Sequence, residues 1–144
     1  MMTVVEGLEI RQIVTRDLPL MSQYFWQPVS KNTERMLARK KGRLWAAELD
    51  GDTVGWVLTE VRRSGRSGGP IGYVQELQVQ SNYRRRGVGR ALMEFVETYY
   101  AFSGCEAIEL SVELNNASAR NLYEKLGYKT FALRLTKHLD SEGS

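Results

Sequence analysis

The chain has 144 residues, enough for one domain and too few for two ordinary ones. Hydrophobic residues make up 42% and charged residues 26%, which excludes a disordered or low-complexity chain and lets such a domain bury roughly 70% of its unfolded surface. The net charge of +3, from 20 Lys and Arg against 17 Asp and Glu, is too small to argue by itself for nucleic acid. Cys105 is the only cysteine and His138 the only histidine. An internal disulfide and a thiolate zinc cluster are therefore excluded, and no metal site is expected. Met1 to Ile10 carry Glu6 and Glu9 with no apolar run after a basic start, so no signal peptide is expected. No apolar stretch nears the roughly 20 residues that span a bilayer. The expectation is a cytoplasmic protein in a reducing compartment.

Leu8 to Val14 alternates and reads as a first strand. Asp17 stands where an N-cap would, before Leu18-Pro19, and Leu20, Met21, Tyr24 and Phe25 make an amphipathic helix that Pro28 ends. Ser30 opens a second helix with Met36 and Leu37 as its apolar face. The period then changes. Leu44 to Leu49 and Val54 to Val61 are strand-like and meet at Asp50-Gly51-Asp52, a hairpin signal. Arg62 to Pro70 offers no core-filling side chain and reads as a mobile loop, its arginines solvated at a hairpin tip.

Ile71 to Val79 is the next strand. After Gly89, Leu92, Phe95, Val96, Tyr99 and Phe102 fall on one helical face, and Gly104 sits where a C-cap would. Ala107 to Leu114 alternates as a strand, Asn116 to Leu126 is a short helix stopped by Gly127, and Tyr128 to His138 reads as a last strand. The order β-α-α-β-β-β-α-β-α-β implies an α/β domain.

Chemistry concentrates at Arg84-Arg85-Arg86-Gly87-Val88-Gly89, between the fourth strand and the long helix. Glycine lets backbone approach a ligand closely. A helix N-terminus then offers unpaired N–H groups and the positive end of a dipole, an anion site to which Arg90 adds charge. The physics favours a phosphate or pyrophosphate. The Gly-Lys-Ser/Thr ending of a P-loop and the third glycine of a dinucleotide fingerprint are both missing. A glycine turn with solvated arginines remains the plain alternative.

A second element is Asn116 to Tyr128, with Ala119, Leu122 and Leu126 as its inner stripe and Tyr123 one position off it. Together the two elements resemble the GCN5-related N-acetyltransferase (GNAT) superfamily. Its Arg/Gln-x-x-Gly-x-Gly signature after a bulged strand is matched by Arg84, Gly87 and Gly89. Its Asn-x-x-Ala-x-x-Leu-Tyr-x-x-x-Gly-Phe/Tyr signature is matched by Asn116, Ala119, Leu122, Tyr123, Gly127 and Tyr128. The resemblance implies one GNAT domain over residues 1–144, with a mixed, mostly antiparallel central sheet flanked by about four helices. Only a short tail follows Gly127-Tyr128. The family's final hairpin is then reduced to one strand or completed by another subunit, which would make a homodimer.

The resemblance further implies acetyl-CoA as co-substrate, bound between the fourth and fifth strands. Its pyrophosphate would lie on Arg84, Arg85, Arg86, Gly87, Val88, Gly89 and Arg90. Its pantetheine arm would pair with the edge of Leu77, Gln78 and Val79, and the Val79 N–H would hold the oxyanion. Asn116 and Ala119 match cofactor-contacting positions, and Tyr123 matches the general acid that protonates the leaving thiolate. An amine attacks directly in this family, so Cys105 need not be a nucleophile. Because the acceptor arrives as ammonium, a base must take its proton. Glu76 is the only carboxylate on the fourth strand, with Tyr73 and Gln75 as fallbacks. Strict alternation sets Glu76 and Gln78 opposite Tyr73, Gln75, Leu77 and Val79; a bulge would reverse which set faces the cleft.

The acceptor implied is a small amine or a peptide N-terminal amine, bordered by Tyr24, Phe25, Trp26 and the Arg62–Pro70 loop. Two other readings stand beside it. One is a catalytically silent acyl-CoA-binding module on the same scaffold. The other is a nucleic-acid-binding domain using Arg62, Arg63, Arg66 and Arg84 to Arg86, which would bind with steep salt dependence.

Overall fold

The computed structural model describes residues 5–17, 30–38 and 42–140. Its contacts divide the chain into two compact units, Met1–Ser111 and Val112–Ser144, each described by itself. The expected helix before Pro28, with Tyr24, Phe25 and Trp26, lies outside the described residues.

In the first unit five strands lie in the order β1-β2-β3-β4-β5. They are β1 (Glu9–Ile13), β2 (Gly42–Leu49), β3 (Asp52–Arg63), β4 (Pro70–Val79) and β5 (Ile108–Leu110). The first four are antiparallel neighbours, and β5 runs parallel to β4. Sequence reading gives this mostly antiparallel α/β sheet correctly. At Asp17 the carboxylate accepts the N–H of Val14, behind it, at 3.0 Å and closes a short turn; the helix it was expected to cap lies outside the described residues.

Helix α1 (Lys31–Ala38) starts as expected, because Ser30 Oγ accepts the Thr33 N–H at 3.1 Å. Its Met36 and Leu37 join Ile13, Leu44, Ala46, Trp56 and Leu58 in a core on one sheet face. The turn between β2 and β3 has Asp50 at φ 52° and Gly51 at φ 84°. Two positive φ angles give the primed turn whose twist suits a two-residue hairpin.

The other sheet face carries α2 (Val88–Phe102), whose buried line is Val88, Leu92, Val96 and Tyr100. Phe102, expected on that face, is 90% exposed. It stands two residues past Tyr100 and so turns about 200° away. Trp45 meets α2 edge-on at Phe95 and Tyr99, with ring centres 5.6 and 4.9 Å away. Glycine decides how closely this helix approaches. A Cβ on Gly72 would come within 2.7 Å of the Tyr100 ring, and one on Gly55 within 3.0 Å of Val88 Cγ1. The helix ends with Gly104 at φ 87°, its N–H on Ala101 O and that of Cys105 on Tyr100 O, the paired bonds of a Schellman cap.

The stretch expected to be a mobile loop is a closed hairpin end. Arg62 and Arg63 belong to β3 and Pro70 to β4. Ser64, only 7% exposed, donates to Glu109 at 3.0 Å and accepts the Arg66 N–H at 3.1 Å. Backbone bonds from Ser64 to Gly69 and from Gly68 to Ser64 tie the rest. Side-chain-to-backbone bonding supplies the order that a missing apolar core would otherwise deny.

The second unit holds α3 (Ala117–Lys125). Gly127, at φ 92°, follows it, and the Tyr128 N–H returns to Tyr123 O. The strand expected over Tyr128–His138 is absent among the described residues. Phe131, Leu133 and Leu135 there are 49, 72 and 88% exposed. Alternation alone does not make a strand, since its backbone groups need a neighbour to bond.

Candidate functional site

The site of the first unit is built on β4. Leu58 of β3 pairs with Glu76, yet Thr59 pairs with Val74. Gln75 is therefore an extra residue, a β-bulge. Opposed residues share a face, so Glu76 and Gln78 stand with Leu58 and Trp56 on the α1 side. Leu77 and Val79 stand with Val57 and Gly55 on the α2 side. The bulge also brings Tyr73 and Gln75 onto the Glu76 face. Tyr73 lies beneath Arg62, Gln75 donates to Glu60 at 3.4 Å, and Gln78 donates to Glu76 at 3.3 Å. Strict alternation, which parts Glu76 from Tyr73 and Gln75, is thus overturned.

The bulge acts on the backbone as well. Gly72 donates its N–H to Ala107, on the β5 side, whereas Gln80 donates to Val54 of β3. Both are even-numbered, so the extra residue has reversed the parity. Successive strand N–H groups point to opposite edges. The N–H and carbonyl of Val79 therefore face away from β3. Among the described residues no strand covers that edge beside Val79, because β5 pairs with β4 only from Gly72 to Val74. A short β5 beside a long β4 leaves a wedge toward which the Val79 donor points.

After β4 comes a short 3-10 turn, Ser81–Tyr83, and then the Gly-rich segment. Arg84 is extended and its Nε donates to Val79 O at 3.2 Å, fixing the turn to the strand end. Arg85 takes φ 63° and Gly87 φ 89°, so the chain reverses sharply into α2. Gly87 caps α2 without any side-chain bond. The first-turn N–H groups of Val88, Gly89 and Arg90 have no carbonyl behind them in the helix. Gly55 lets Val88 seat in the core and thereby anchors this end. Arg86 stacks on Tyr83 with its guanidinium carbon 4.9 Å from the ring centre. Arg90 pairs with Glu94 at 3.3 Å.

In the second unit, Asn116 Oδ1 accepts the Ala119 N–H at 3.1 Å and so is the N-cap of α3. Ala119, Leu122, Tyr123, Leu126 and Tyr128 are its half-buried residues. Tyr123 belongs to that stripe rather than beside it, and its ring meets Tyr128 edge-on at 5.6 Å. Burial raises the Tyr123 phenol above its ordinary pKa, since a phenolate is poorly solvated there. Cys105 follows the α2 cap, and burial raises its thiol likewise. That suppresses thiolate, the nucleophilic form. No cluster of metal-ligating side chains occurs among the described residues. Nor is any helix there long and apolar enough to cross a membrane.

The profile of the acetyltransferase (GNAT) family matches residues 8–128. The chain belongs to the GNAT family. Over 99 residues it is 32% identical to an uncharacterized N-acetyltransferase of Methanocaldococcus jannaschii, covering 68% of this chain and 60% of that one. Thus it spans less than two thirds of that relative. Over 134 residues it is 31% identical to the L-amino acid N-acetyltransferase of Escherichia coli, covering 88% of this chain and 78% of that one. Among solved folds, an aminoglycoside acetyltransferase from an uncultured soil metagenomic sample superposes with TM-score 0.75 at 20% identity, covering 96% of this chain and 100% of that one.

GNAT acetyltransferases use acetyl-CoA as co-substrate, and the residues present suit it. A helix cap without a side chain leaves room and donors for a pyrophosphate. The open edge of β4 offers backbone partners to an amide-bearing arm. Sequence reading missed Glu60 and placed Arg62 in a loop bordering the acceptor; both belong to β3 and join the Glu76 face. Their alternation within β3 was visible, but their register against β4 was not.

Proposed function

We propose that this GNAT chain transfers acetyl from acetyl-CoA to a primary amine by direct attack through a tetrahedral intermediate. The acceptor is a small amine or a peptide N-terminal amine. The observation that carries this reading is the aim of the Val79 N–H at the open edge of a bulged strand, one turn before an uncapped helix N-terminus. In this reading Val88, Gly89 and Arg90 hold phosphate oxygens, and Arg84, Arg85, Arg86 and Gly87 shape the turn around them. Leu77, Gln78 and Val79 line the arm of the co-substrate.

Glu76 accepts the proton that the acceptor ammonium must shed before its lone pair is free. The neutral nitrogen bonds to the thioester carbon, and negative charge grows on the carbonyl oxygen. The Val79 N–H steadies that charge, as oxyanion donors do. When the C–S bond breaks, Tyr123 gives its phenolic proton to the thiolate, the nitrogen sheds its second proton to water as the amide forms, and water reprotonates the tyrosine. Burial holds this phenol in the protonated form from which an acid acts. Cys105 takes no part. Asn116 and Ala119 act by holding the N-terminal turn of α3, which carries Tyr123.

Acetyl-CoA use supports a place in the cytoplasm. The exposed alternation of Phe131, Leu133 and Leu135 supports a homodimer, whose test is a concentration-dependent mass in sedimentation.

The deciding experiment is calorimetric titration with acetyl-CoA against ADP, followed by a CoA-release screen over small amines and peptides. Micromolar binding with turnover bears the reading out. Binding without turnover would favour the silent acyl-CoA module, and no binding at low salt would remove both.

A further inference from the structure

The side chains around Glu76 are tied together more fully than a solvated strand face requires. Arg62 lays its guanidinium carbon 3.8 Å from the centre of the Tyr73 ring. Its Nε donates to the Glu60 carboxylate, which also accepts from Gln75. The Tyr73 hydroxyl is in turn joined to Ser111 Oγ at 3.0 Å. The ring is thus held at its hydroxyl end, and the guanidinium by stacking and by Nε. An exposed ion pair of this kind stabilises a fold by at most about 1 kcal/mol, so stability does not account for it.

Among the described residues the bond to Glu60 engages Nε, and the side chain keeps 40% of its exposure, so Nη1 and Nη2 are the donors left for a ligand. Two parallel donors on a rigid plane match the two oxygens of a carboxylate. Their distance from Glu76 follows from the register. Tyr73 pairs with Glu60 and Glu76 with Leu58, so the two rows lie roughly 7 Å apart along the strands. Hydrogen bonds of about 2.9 Å at each end, plus the short span inside an amino acid, cover that gap.

We infer that Arg62 is a specificity-determining residue that reads a carboxylate on the acceptor. The preferred acceptor is then an amine bearing an acid group, either a free amino acid or a peptide N-terminus with an acidic residue close behind. Tyr73 and Glu60 position Arg62, and Glu60 offsets its charge so that the incoming ammonium is not repelled. The inference rests on the transferase reading above.

The test uses the full chain at saturating acetyl-CoA and measures CoA release from matched acceptors. Free amino acids are compared with their amides, and peptides with Asp or Glu at the second position with their Asn or Gln counterparts. The acid member of at least one pair should have a kcat/KM roughly 10- to 100-fold higher, and the arm that shows it names the source. Arg62→Gln should bring that ratio near one. Arg62→Lys should restore only part of it, because an ammonium lacks the fork. Calorimetric acetyl-CoA binding within about threefold of the parent shows that each variant is folded. A ratio near one in the parent, or one that survives Arg62→Gln, overturns the inference while leaving the transferase standing. Failure of every amine to release CoA overturns both.

Discussion

Glu76 stands opposite Leu58 across the β3–β4 pair, while the next residue of β3, Thr59, faces Val74. The one extra residue between them sets Glu76 beside Gln75 and Tyr73 and turns the Val79 N–H to the open edge. The same slip that groups these side chains also aims the backbone donor.

Glu76→Gln keeps the shape and the Gln78 contact but removes the proton acceptor. Its kcat should fall roughly 10²- to 10⁴-fold, the usual share of general base catalysis, with acetyl-CoA affinity nearly unchanged. Steady-state kinetics beside calorimetry checks this. A kcat within twofold of the parent would remove Glu76 as the base.

Deleting Gln75 should make β4 regular, with Val74 still opposite Thr59 and Glu76 still opposite Leu58. Glu76 then keeps the α1 side and Val79 its edge, while the Gln75 contact to Glu60 is lost. Acetyl-CoA affinity should stay within about threefold of the parent, which calorimetry beside circular dichroism checks. Loss of binding in a chain that still folds would show that the bulged residue itself, and not the register, shapes this edge.

Tyr123→Phe should lower kcat by about 10- to 100-fold and leave acetyl-CoA binding almost unaltered. The pH profile adds a second readout. An acid must be protonated to act, and burial raises this phenol. The parent's alkaline limb should therefore lie above pH ~10, the ordinary tyrosine value, and be absent in the variant. A limb that persists in Tyr123→Phe belongs to another group.

Gly87 adopts φ 89° at the N-cap. Valine there should cost roughly 1–3 kcal/mol of stability through backbone strain. It should also weaken acetyl-CoA binding at least tenfold, because the turn that aims the first-turn N–H groups would shift. Thermal melts and calorimetry measure the two effects separately. Unaltered affinity would sink the phosphate-turn assignment.

Tyr100 OH lies 2.6 Å from Thr59 Oγ1, which also reaches Arg43 O at 3.3 Å. The threonine has one proton and gives it to the carbonyl, so the phenol donates to the threonine. Thr59→Val strands the buried phenol and should cost about 1–3 kcal/mol, more than Tyr100→Phe. Burial pushes the Tyr100 pKa up to about 12 in the folded chain, against about 10 unfolded. The folded state then holds a proton that the unfolded state has lost. This contribution is whole below pH ~10 and drains away up to pH ~12, by as much as about 1.4 kcal/mol per pH unit. Denaturant titrations across that range should show the slope in the parent and a weaker one in Tyr100→Phe.

The amino-acid order alone accounted for the strands that pair, for the Ser30 cap and for the Asp50-Gly51 turn. It also located both GNAT signatures. These depend on residues within a turn or two of one another, where caps, glycine φ angles and apolar period act locally. It failed where apolar alternation stood without a neighbour, at Tyr128–His138, and where apolar residues outnumber the buried line, at Phe102. It also took the Arg62–Pro70 stretch for a mobile loop, because the Ser64–Glu109 bond that closes it joins residues distant in sequence.

What the sequence determined by itself, then, is the family and the place of the Gly-rich turn, since both are written in short continuous segments. Only the tertiary structure decided which side of β4 Glu76 occupies, which edge Val79 addresses and that Glu60 and Arg62 stand beside them. Those depend on strand register. A single bulged residue exchanges the two faces and the two edges together, and it is set by the pairing of two strands rather than by the composition of either.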